Sequence, residues 1–206
     1  MAKSKTSKQW LDRHVNDDYV KRSVRDGYRS RAVYKLIELN DKSQFLKPGQ
    51  VVVDLGAAPG GWSQVASTII ADSGKVIGLD LLPIDPMPDA DFIQGDFRED
   101  ESLDILNKML KGKQVDLVLS DMAPNISGVA AIDQPKAMYL CELALQFAQE
   151  NLKPGGWFVI KIFQGAGFED FIQDVRRHFG KVSMKKPKAS RAKSREMYLV
   201  AGNFKV

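Results

Sequence analysis

The sequence predicts an α/β fold: a doubly wound, mostly parallel sheet of seven strands with an antiparallel last strand. Strand-like and helix-like stretches alternate through most of the chain, as in a parallel sheet covered by helices on both faces. The strand-like stretches are continuous apolar runs, which is typical of strands buried on both sides. The last two of them follow each other with no helix between, so we expect the sheet to end in an antiparallel pair.

Seven strands and five helices are predicted in chain order. Short apolar runs bounded by turn residues predict strands at residues 50–55, 75–80, 91–94, 115–120, 157–163, 181–185 and 196–201. Apolar side chains at helical spacing predict helices at residues 30–40, 62–71, 102–110, 134–151 and 168–179. Turn sequences that combine lysine, proline and glycine precede the first and the fifth of these strands.

The composition excludes several classes of protein. A chain of 206 residues with 44% apolar residues suits one domain with a real core. It contains no apolar run of about 18 residues, and its basic, polar start lacks the apolar segment of a secretion signal. One cysteine and two histidines rule out an internal disulfide and argue against a metal site. We therefore expect a reduced, cytoplasmic protein with no metal and no membrane partner. We also expect a monomer, although the sequence does not determine the oligomeric state.

Basic side chains concentrate near both ends of the chain. Residues 1–35 carry ten basic and four acidic side chains, and residues 176–195 carry nine basic and no acidic ones. Residues 36–175 carry ten basic against twenty-one acidic side chains. This distribution favours a polyanionic partner such as RNA over simple solvated tails. The side chains expected to contact RNA are Arg22, Arg25, Arg29, Arg31, Lys185, Lys186, Arg191 and Arg195.

Small and acidic residues stand where the first four predicted strands end. They are Asp54, Gly56, Gly60, Asp80, Asp96 and Asp121. Because the carboxyl ends of parallel strands meet at one edge of the sheet, we expect these residues to form one acidic pocket. Such a pocket suits a positively charged ligand, and Asp80 is placed to accept hydrogen bonds from ribose hydroxyls. A ligand with an adenosine and a positive charge is S-adenosylmethionine, which is the predicted cofactor.

Six stretches together resemble the FtsJ/RrmJ family of S-adenosylmethionine-dependent ribosomal-RNA 2′-O-methyltransferases: VVVDLGAAPGGWSQ, GLDLLP, QGDF, VLSDMAPNISG, GGWFVIKIFQG and SREMYLV. The resemblance covers nearly the whole chain. It implies the Rossmann-like class I methyltransferase sheet, with residues 31–206 as a single catalytic domain and residues 1–30 as a basic extension within the RNA-binding surface. It also implies methylation of a uridine ribose in 23S rRNA of the large ribosomal subunit.

One predicted strand contains a lysine, Lys161, in an otherwise apolar run. The resemblance implies that Lys161 accepts the proton of the target hydroxyl during an SN2 methyl transfer, while Asp121 orients it. It also places Lys35 and Glu196 around the ribose, and Trp62 in the wall of the cofactor pocket. Burial favours the neutral amine that a base needs, whereas a nearby carboxylate favours the ammonium, so the sequence leaves the protonation state open.

Two other functions stay open. A methyltransferase could act on a different RNA ribose, an RNA cap or a small molecule, although the basic ends disfavour a small molecule. A ribosome-assembly factor could bind RNA without turnover, although the complete set of predicted catalytic residues argues against this. Cys141 lies among apolar residues of a predicted helix, so we expect it in the core. A core position disfavours base C5-methylation, because that reaction needs a cysteine nucleophile.

Overall fold

The computed structural model describes residues 17–71, 73–191 and 193–205, which form one sheet with helices on both faces. The strands are β1 Val51–Leu55, β2 Lys75–Asp80, β3 Ala90–Gln94, β4 Val115–Ser120, β5 Leu152–Phe163, β6 Phe179–Lys185 and β7 Glu196–Phe204. The helices are α1 Asp18–Arg25, α2 Val33–Ser43, α3 Gly61–Ile70, α4 Asp100–Leu110, α5 Ala130–Asn151 and α6 Phe168–His178. The first sixteen residues of the predicted basic extension lie outside the described ranges.

The strands run in the order β3-β2-β1-β4-β5-β7-β6 across the sheet. Neighbouring strands from β3 to β5 are parallel to each other. In contrast, β7 is antiparallel to both β5 and β6, between which it lies. The predicted doubly wound, mostly parallel sheet with an antiparallel last strand is therefore confirmed. The order reverses direction between β1 and β4, which is where such sheets open a crevice for a ligand.

Adjacent residues of the central strands face opposite sides of the sheet. Val53 and Val118 belong to the core beneath α4, α5 and α6. Val52 and Leu117 belong to the core beneath α2 and α3. Because both faces are covered, each central strand needs apolar residues at successive positions, which explains the continuous apolar runs in the sequence.

Local residues explain where several helices begin. Asp17 caps α1, since its carboxylate accepts a hydrogen bond of 3.0 Å from the backbone N–H of Tyr19. Gly60 precedes α3 with a φ of 99°, a conformation that favours glycine. Helix α6 has two acidic residues in its first turn and three basic residues in its last, which complements the helix dipole.

None of the helices in the described part of the chain is long and apolar enough to span a bilayer.

Helix α1 has no counterpart among the predicted elements. Its sequence is strongly polar, and its few apolar side chains, Tyr19, Val20 and Val24, span only two turns, which is too short a pattern to predict a helix. Its packing on the rest of the protein supplies the missing stabilisation: the ring of Tyr19 lies against that of Tyr34, with centroids 5.5 Å apart, and Ser23 is buried. Tertiary contacts therefore decide this helix.

Other elements begin or end at residues different from the predicted ones. Helix α5 begins at Ala130 rather than at residue 134, and β5 begins at Leu152 rather than at residue 157. The early start of β5 rests on the pairing of Leu152 with Val115, after which the register of the two strands shifts. Phe179 begins β6 instead of ending the preceding helix.

A large-to-small substitution in β5 tests the packing between the sheet and its covering elements. Phe158 is fully buried, and its ring stacks on that of Phe179 with centroids 6.1 Å apart. We expect Phe158→Ala to lower the free energy of unfolding by about 3–5 kcal/mol, because a cavity replaces the ring. The control Val24→Ala, on a side chain 76% exposed, should change it by less than about 0.5 kcal/mol. Urea denaturation of both variants measures this, and equal small losses would contradict the packing described.

Candidate active site

The reversal of β7 brings its first residues to the edge of the sheet where the parallel strands end. Glu196 pairs with Phe163 at the carboxyl end of β5, and Tyr198 pairs with Lys161 two residues earlier. Directly opposed residues of an antiparallel pair point to the same face of the sheet. Lys161 and Tyr198 therefore lie side by side, next to Asp121 at the end of β4.

Five side chains at this edge form a continuous chain of polar contacts, which we call the edge cluster: Lys35, Asp121, Lys161, Glu196 and Tyr198. The Nζ atom of Lys161 lies 3.1 Å from Oδ1 of Asp121 and donates a hydrogen bond to the backbone carbonyl of the same residue. The hydroxyl of Tyr198 donates to the same Oδ1 atom at 2.7 Å. Nζ of Lys35 donates to the Tyr198 oxygen at 2.9 Å and lies 2.9 Å from Oε1 of Glu196. The structure thus brings together all four residues predicted as catalytic.

The charges in the edge cluster keep Asp121 ionised. Burial by itself would raise the pKa of Asp121, but the positive charges of Lys161 and Lys35, with hydrogen bonds from Tyr198 and Lys161, outweigh it and lower the pKa below its ordinary value. Burial and the nearby carboxylates of Asp121 and Glu196 raise the pKa of Tyr198 well above its ordinary value. Tyr198 therefore remains a hydrogen-bond donor to Asp121 at neutral pH.

A cavity of about 390 Å³, the large cavity, opens beside the edge cluster. Its volume lies within the range of small-molecule sites, about 300–1,000 Å³. Four of the residues predicted to bind the cofactor line it: Gly56, Asp80, Asp96 and Asp121. Its other lining residues include Leu79, Phe97, Arg98, Met122, Asn125, Lys136, Tyr139 and Leu140.

Asp80 and Asp96 reach the large cavity with their carboxylates already oriented by hydrogen bonds. One oxygen of Asp80 accepts from the backbone N–H of Ala58 at 2.9 Å, and the other accepts from that of Leu82 at 2.9 Å. Asp96 accepts from the guanidinium Nε of Arg98 at 3.0 Å, and this hydrogen bond lowers the pKa of Asp96. Each carboxylate oxygen has a second lone pair, so Asp80 can still accept hydrogen bonds from a ligand.

Gly56 allows the loops after β1 and β4 to touch at the floor of the large cavity. Its φ is 76°, and a Cβ at this position would lie 2.7 Å from Cγ and 2.9 Å from the backbone nitrogen of Met122. Any side chain at position 56 would therefore be strained and would push the two loops apart. The close approach explains why the loop after β1 consists of small residues.

Asp54 lies beneath the large cavity rather than in its lining. Its carboxylate is fully buried, one oxygen accepts from the hydroxyl of Ser63 at 2.7 Å, and the other has no hydrogen-bond partner. Burial, together with the negative charges of Asp121 and Asp80, raises the pKa of Asp54 to about 7. The neutral form of the Asp54 carboxyl is therefore favoured over a wider pH range than that of an exposed aspartate.

Gly60 and Trp62, also predicted to bind the cofactor, lie on the other side of the glycine loop, residues 56–60. Gly60 is the residue directly before helix α3. Trp62 is buried, donates a hydrogen bond of 2.9 Å to the carbonyl of Ala32, and packs on Tyr198 with ring centroids 5.8 Å apart. It lines a cavity of about 20 Å³, together with Gly56 and Asp121. Trp62 thus supports the edge cluster from below, and its contact with a cofactor stays a prediction.

The described residues contain neither an ionised cysteine nor a cluster of metal ligands. Cys141 is buried, its thiol donates to the backbone carbonyl of Lys161 at 3.5 Å, and burial raises its pKa to about 12. It packs in the core of the sheet, as its sequence neighbours indicated. No group of three or more histidine, cysteine, aspartate or glutamate side chains in the described ranges could hold a metal ion.

Sequence reasoning missed Tyr198 and the α5 side of the large cavity. Tyr198 follows Glu196 by two residues, so the two side chains share a face of β7, and this alternation was the available signal. Lys136, Tyr139 and Leu140 line the large cavity from α5. Their spacing of three and four residues places them on one face of a helix, which the sequence also contained.

The two basic segments lie side by side in the structure. The guanidinium of Arg31 contacts both the carboxylate of Asp17 and the backbone carbonyl of Ala189. Farther along, Glu38 on α2 accepts a hydrogen bond of 2.7 Å from the backbone N–H of Lys188. These contacts join the start of the described chain to the loop between β6 and β7, next to Lys35.

The basic residues predicted to contact RNA differ in their solvent exposure. Arg22, Arg25, Lys186, Arg191 and Arg195 are exposed, and Lys185 is partly buried at the end of β6. The Arg31 side chain is 16% exposed and is held inside the protein by its two contacts. Arg29 donates hydrogen bonds to three backbone carbonyls of the protein itself.

The strand order with a reversed seventh strand, and an acidic cavity at the carboxyl edge of the sheet, define the Rossmann-like class of methyltransferase folds. A crystal structure described as a ribosomal RNA methyltransferase from Plasmodium falciparum superposes with a TM-score of 0.75 and 34% identity, covering 86% of this chain and 98% of that chain. A structure described as an rRNA-methylase from Clostridium thermocellum shares the fold, with a TM-score of 0.56 and 19% identity over 82% of this chain and 97% of that one.

Residues 28–204 match the family model described as FtsJ-like methyltransferase. The chain belongs to the FtsJ-like methyltransferase family, and the resemblance found in the sequence is confirmed. It is 57% identical over 200 residues to the Ribosomal RNA large subunit methyltransferase E of Methylobacillus flagellatus, covering 97% of each chain. It is also 57% identical to the protein of that name from Pseudomonas fluorescens, covering 100% of this chain and 98% of the relative.

The pKa of Asp54 predicts a specific pH dependence of stability. Its folded pKa of about 7 lies above its ordinary value of 3.8, so the folded protein holds this proton more tightly than the unfolded chain. The stabilisation is therefore complete below about pH 4 and is lost as the pH rises towards 7, by up to about 1.4 kcal/mol per pH unit. Asp54→Asn removes this titration.

Urea denaturation of wild type and Asp54→Asn from pH 5 to pH 8 tests this expectation. The free energy of unfolding of the variant, relative to wild type, should increase between pH 5 and pH 7 and then level off. Parallel pH profiles of the two proteins would contradict the assignment of a raised pKa to Asp54.

Replacing Tyr198 with phenylalanine removes the hydroxyl that joins Asp121 to Lys35 but keeps the ring on Trp62. We expect a loss of about 1–2 kcal/mol of unfolding free energy and a rise in the pKa of Asp121, because one hydrogen bond to its carboxylate disappears. Urea denaturation and ¹³C NMR titration of the aspartate carboxylates measure the two effects. The control Tyr28→Phe, outside the edge cluster, should leave the Asp121 titration unchanged, and an unchanged titration in Tyr198→Phe would refute the arrangement.

Proposed function

We propose that this chain transfers a methyl group from S-adenosylmethionine to the 2′-oxygen of a uridine ribose in 23S rRNA of the large ribosomal subunit. The observation that carries the proposal is the edge cluster, in which Lys161 lies against Asp121, a residue that lines the large cavity. The names of relatives 57% identical over nearly the whole chain, Ribosomal RNA large subunit methyltransferase E, support the substrate class. The basic segments around Lys35 agree with an RNA substrate.

The residues around the large cavity fit S-adenosylmethionine. Asp80 is fixed by two backbone N–H groups at the end of β2, where it can accept hydrogen bonds from ribose hydroxyls. Gly56 leaves room for Met122 at the cavity floor, and the ionised Asp121 in the cavity lining would attract a positively charged ligand. When bound, S-adenosylmethionine would supply a methyl group on a positively charged sulfur.

Lys161 is the proposed proton acceptor. As the bond from the methyl carbon to the ribose oxygen forms and its bond to sulfur breaks, the hydroxyl proton moves to Nζ of Lys161. The amine must be neutral to accept it, so Lys161 has to lose its own proton before the methyl transfer. Asp121 holds Nζ through both its carboxylate and its backbone carbonyl, so the amine keeps a defined position.

Lys35 and Glu196 are proposed to position the ribose and to balance the charge of the site. Nζ of Lys35 lies 2.9 Å from Oε1 of Glu196, and the hydroxyl of Tyr198 connects Lys35 to Asp121. With two lysines and two carboxylates, the edge cluster carries no net charge when all four are ionised. In the form that accepts the proton, with Lys161 neutral, the edge cluster carries one negative charge.

The two neighbouring basic segments are proposed as the surface that holds RNA. Their exposed side chains, on α1 and on the loop between β6 and β7, flank Lys35 on α2. Phosphate contacts from such side chains fix position rather than sequence. We further propose that residues 1–30 form part of this surface, that residues 31–206 form one catalytic domain, and that the protein acts as a monomer in the cytoplasm.

Alanine and arginine variants at position 161 distinguish a proton acceptor from a side chain that only supplies positive charge. We expect Lys161→Ala and Lys161→Arg each to lower the rate of methyl transfer by about 10²–10⁴-fold, because arginine keeps the charge but stays protonated. The measurement is transfer of labelled methyl from S-adenosylmethionine to large ribosomal subunits from a strain that lacks this activity. The matched control is Lys111→Arg, an exposed lysine after α4, which should retain the wild-type rate.

The position of the label identifies the acceptor. Ribose 2′-O-methylation protects one linkage of 23S rRNA from alkaline cleavage, so the wild-type product should show a single protected linkage. Label without protection would mean a base or protein acceptor and would refute the ribose target. Full activity in Lys161→Arg would refute Lys161 as the proton acceptor.

A further inference from the structure

Arg29 lies against the outer side of two loops that line the large cavity. Its Nη1 atom donates to the backbone carbonyl of Asp85 at 2.6 Å and to that of Pro59 at 3.3 Å. Its Nη2 atom donates to the carbonyl of Pro86 at 2.8 Å. One guanidinium thus joins the glycine loop to the loop that follows β2, residues 81–89, which we call the β2 loop.

The same two loops are joined again on the cavity side. There the carboxylate of Asp80 accepts from the backbone N–H of Ala58, and both residues line the large cavity with Leu81. The spacing between the glycine loop and the β2 loop therefore sets the width of the cavity at this end. Arg29 fixes that spacing from outside, and Asp80 fixes it from inside.

The β2 loop needs an external support of this kind. It contains Pro83, Pro86 and Pro88, which have no backbone N–H, and most of its residues are exposed. Side-chain hydrogen bonds near its ends come from Gln94 to the carbonyl of Leu81 at 3.3 Å and from Ser67 to that of Asp89 at 3.5 Å. The carbonyls in the middle of the loop are the ones that Arg29 binds.

Arg29 is itself held in place by the helix that follows the glycine loop. Its backbone N–H donates to the side-chain oxygen of Gln64 on α3 at 3.1 Å, and the amide nitrogen of Gln64 donates to the carbonyl of Gly27 at 3.0 Å. Gly60 completes the fit, since a Cβ there would lie 2.9 Å from Nη1 of Arg29 and 3.2 Å from a methyl group of Ile84. The guanidinium therefore rests on a rigid base.

Only a planar, forked cation suits this position. Arginine presents five N–H donors in a fixed plane, whereas lysine presents a compact point charge that cannot hold both loops in the same geometry. A contact between Arg29 and an RNA phosphate would compete with the carbonyl contacts for the same donors. Arg29 was predicted from the sequence to bind RNA because of its positive charge. In the structure, its guanidinium instead donates hydrogen bonds to the two loops beside the cavity.

We propose that Arg29 is a positioning residue for the adenosine end of S-adenosylmethionine: it holds the β2 loop against the glycine loop and so keeps Asp80 and Ala58 at the spacing the cofactor needs. This inference rests on the proposed function for the identity of the cofactor. It assigns Arg29 to cofactor binding instead of RNA binding.

Calorimetric titration with S-adenosylhomocysteine tests the inference in the absence of RNA and of turnover. We expect Arg29→Ala and Arg29→Lys each to weaken binding about tenfold, as loss of charge-assisted hydrogen bonds to the loops predicts. Arg177→Ala, which removes an exposed positive charge on α6, should bind like wild type. Arg29→Lys keeps the charge and serves as the milder variant if Arg29→Ala folds poorly, and circular dichroism melting reports folding.

Filter binding of 23S rRNA at several salt concentrations provides the second readout. Both Arg29 variants should keep the wild-type RNA affinity and salt slope, whereas a general loss of structure would weaken RNA and cofactor binding together. Wild-type cofactor affinity in Arg29→Lys, or a salt slope reduced by about one in Arg29→Ala with cofactor binding intact, would overturn the inference and indicate a phosphate contact. If wild type does not bind S-adenosylhomocysteine, the proposed function fails and the inference falls with it.

Discussion

The antiparallel pairing of β7 with β5 is the constraint on which the candidate site depends. A parallel β7 would place Glu196 and Tyr198 at the opposite edge of the sheet. They would then lie far from the glycine loop, because a strand advances about 3.3 Å per residue. The reversed strand instead starts at the edge where β1, β2, β4 and β5 end. Lys161 then faces Tyr198 directly, and the edge cluster closes around Asp121.

Asp121 is the point at which the charges of the edge cluster meet. Burying a carboxylate is unfavourable unless positive charges and hydrogen bonds compensate, and here Lys161, Lys35 and Tyr198 supply both. The compensation keeps Asp121 ionised although it lies at a largely buried position. The consequence is a site whose geometry exists before any ligand arrives, since every polar group in the edge cluster already has a partner within the protein.

Carboxylates line the large cavity, where they attract a cation but repel one another. Asp80 and Asp121 face the cavity with negative charge, which suits the positively charged cofactor proposed for it. Asp54 lies one layer deeper, where burial, together with the charges of Asp121 and Asp80, raises its pKa to about 7. The proposed RNA surface is basic and the proposed cofactor cavity contains several carboxylates, so the charge of each suits its proposed ligand.

The sequence by itself determined the order of strands and helices, the residues at the strand ends, and the loop of small residues. These depend on local periodicity and on the rule that parallel strands end at one edge, so Gly56, Asp80, Asp96 and Asp121 were found at the cavity. Lys161 stood out because a charge interrupts an apolar strand. Only the tertiary structure decided helix α1, the hydroxyl of Tyr198 between two distant segments, and the inward use of Arg29 and Arg31. These contacts join residues up to 163 positions apart, and no local pattern encodes which partner a tyrosine or an arginine meets once the chain has folded.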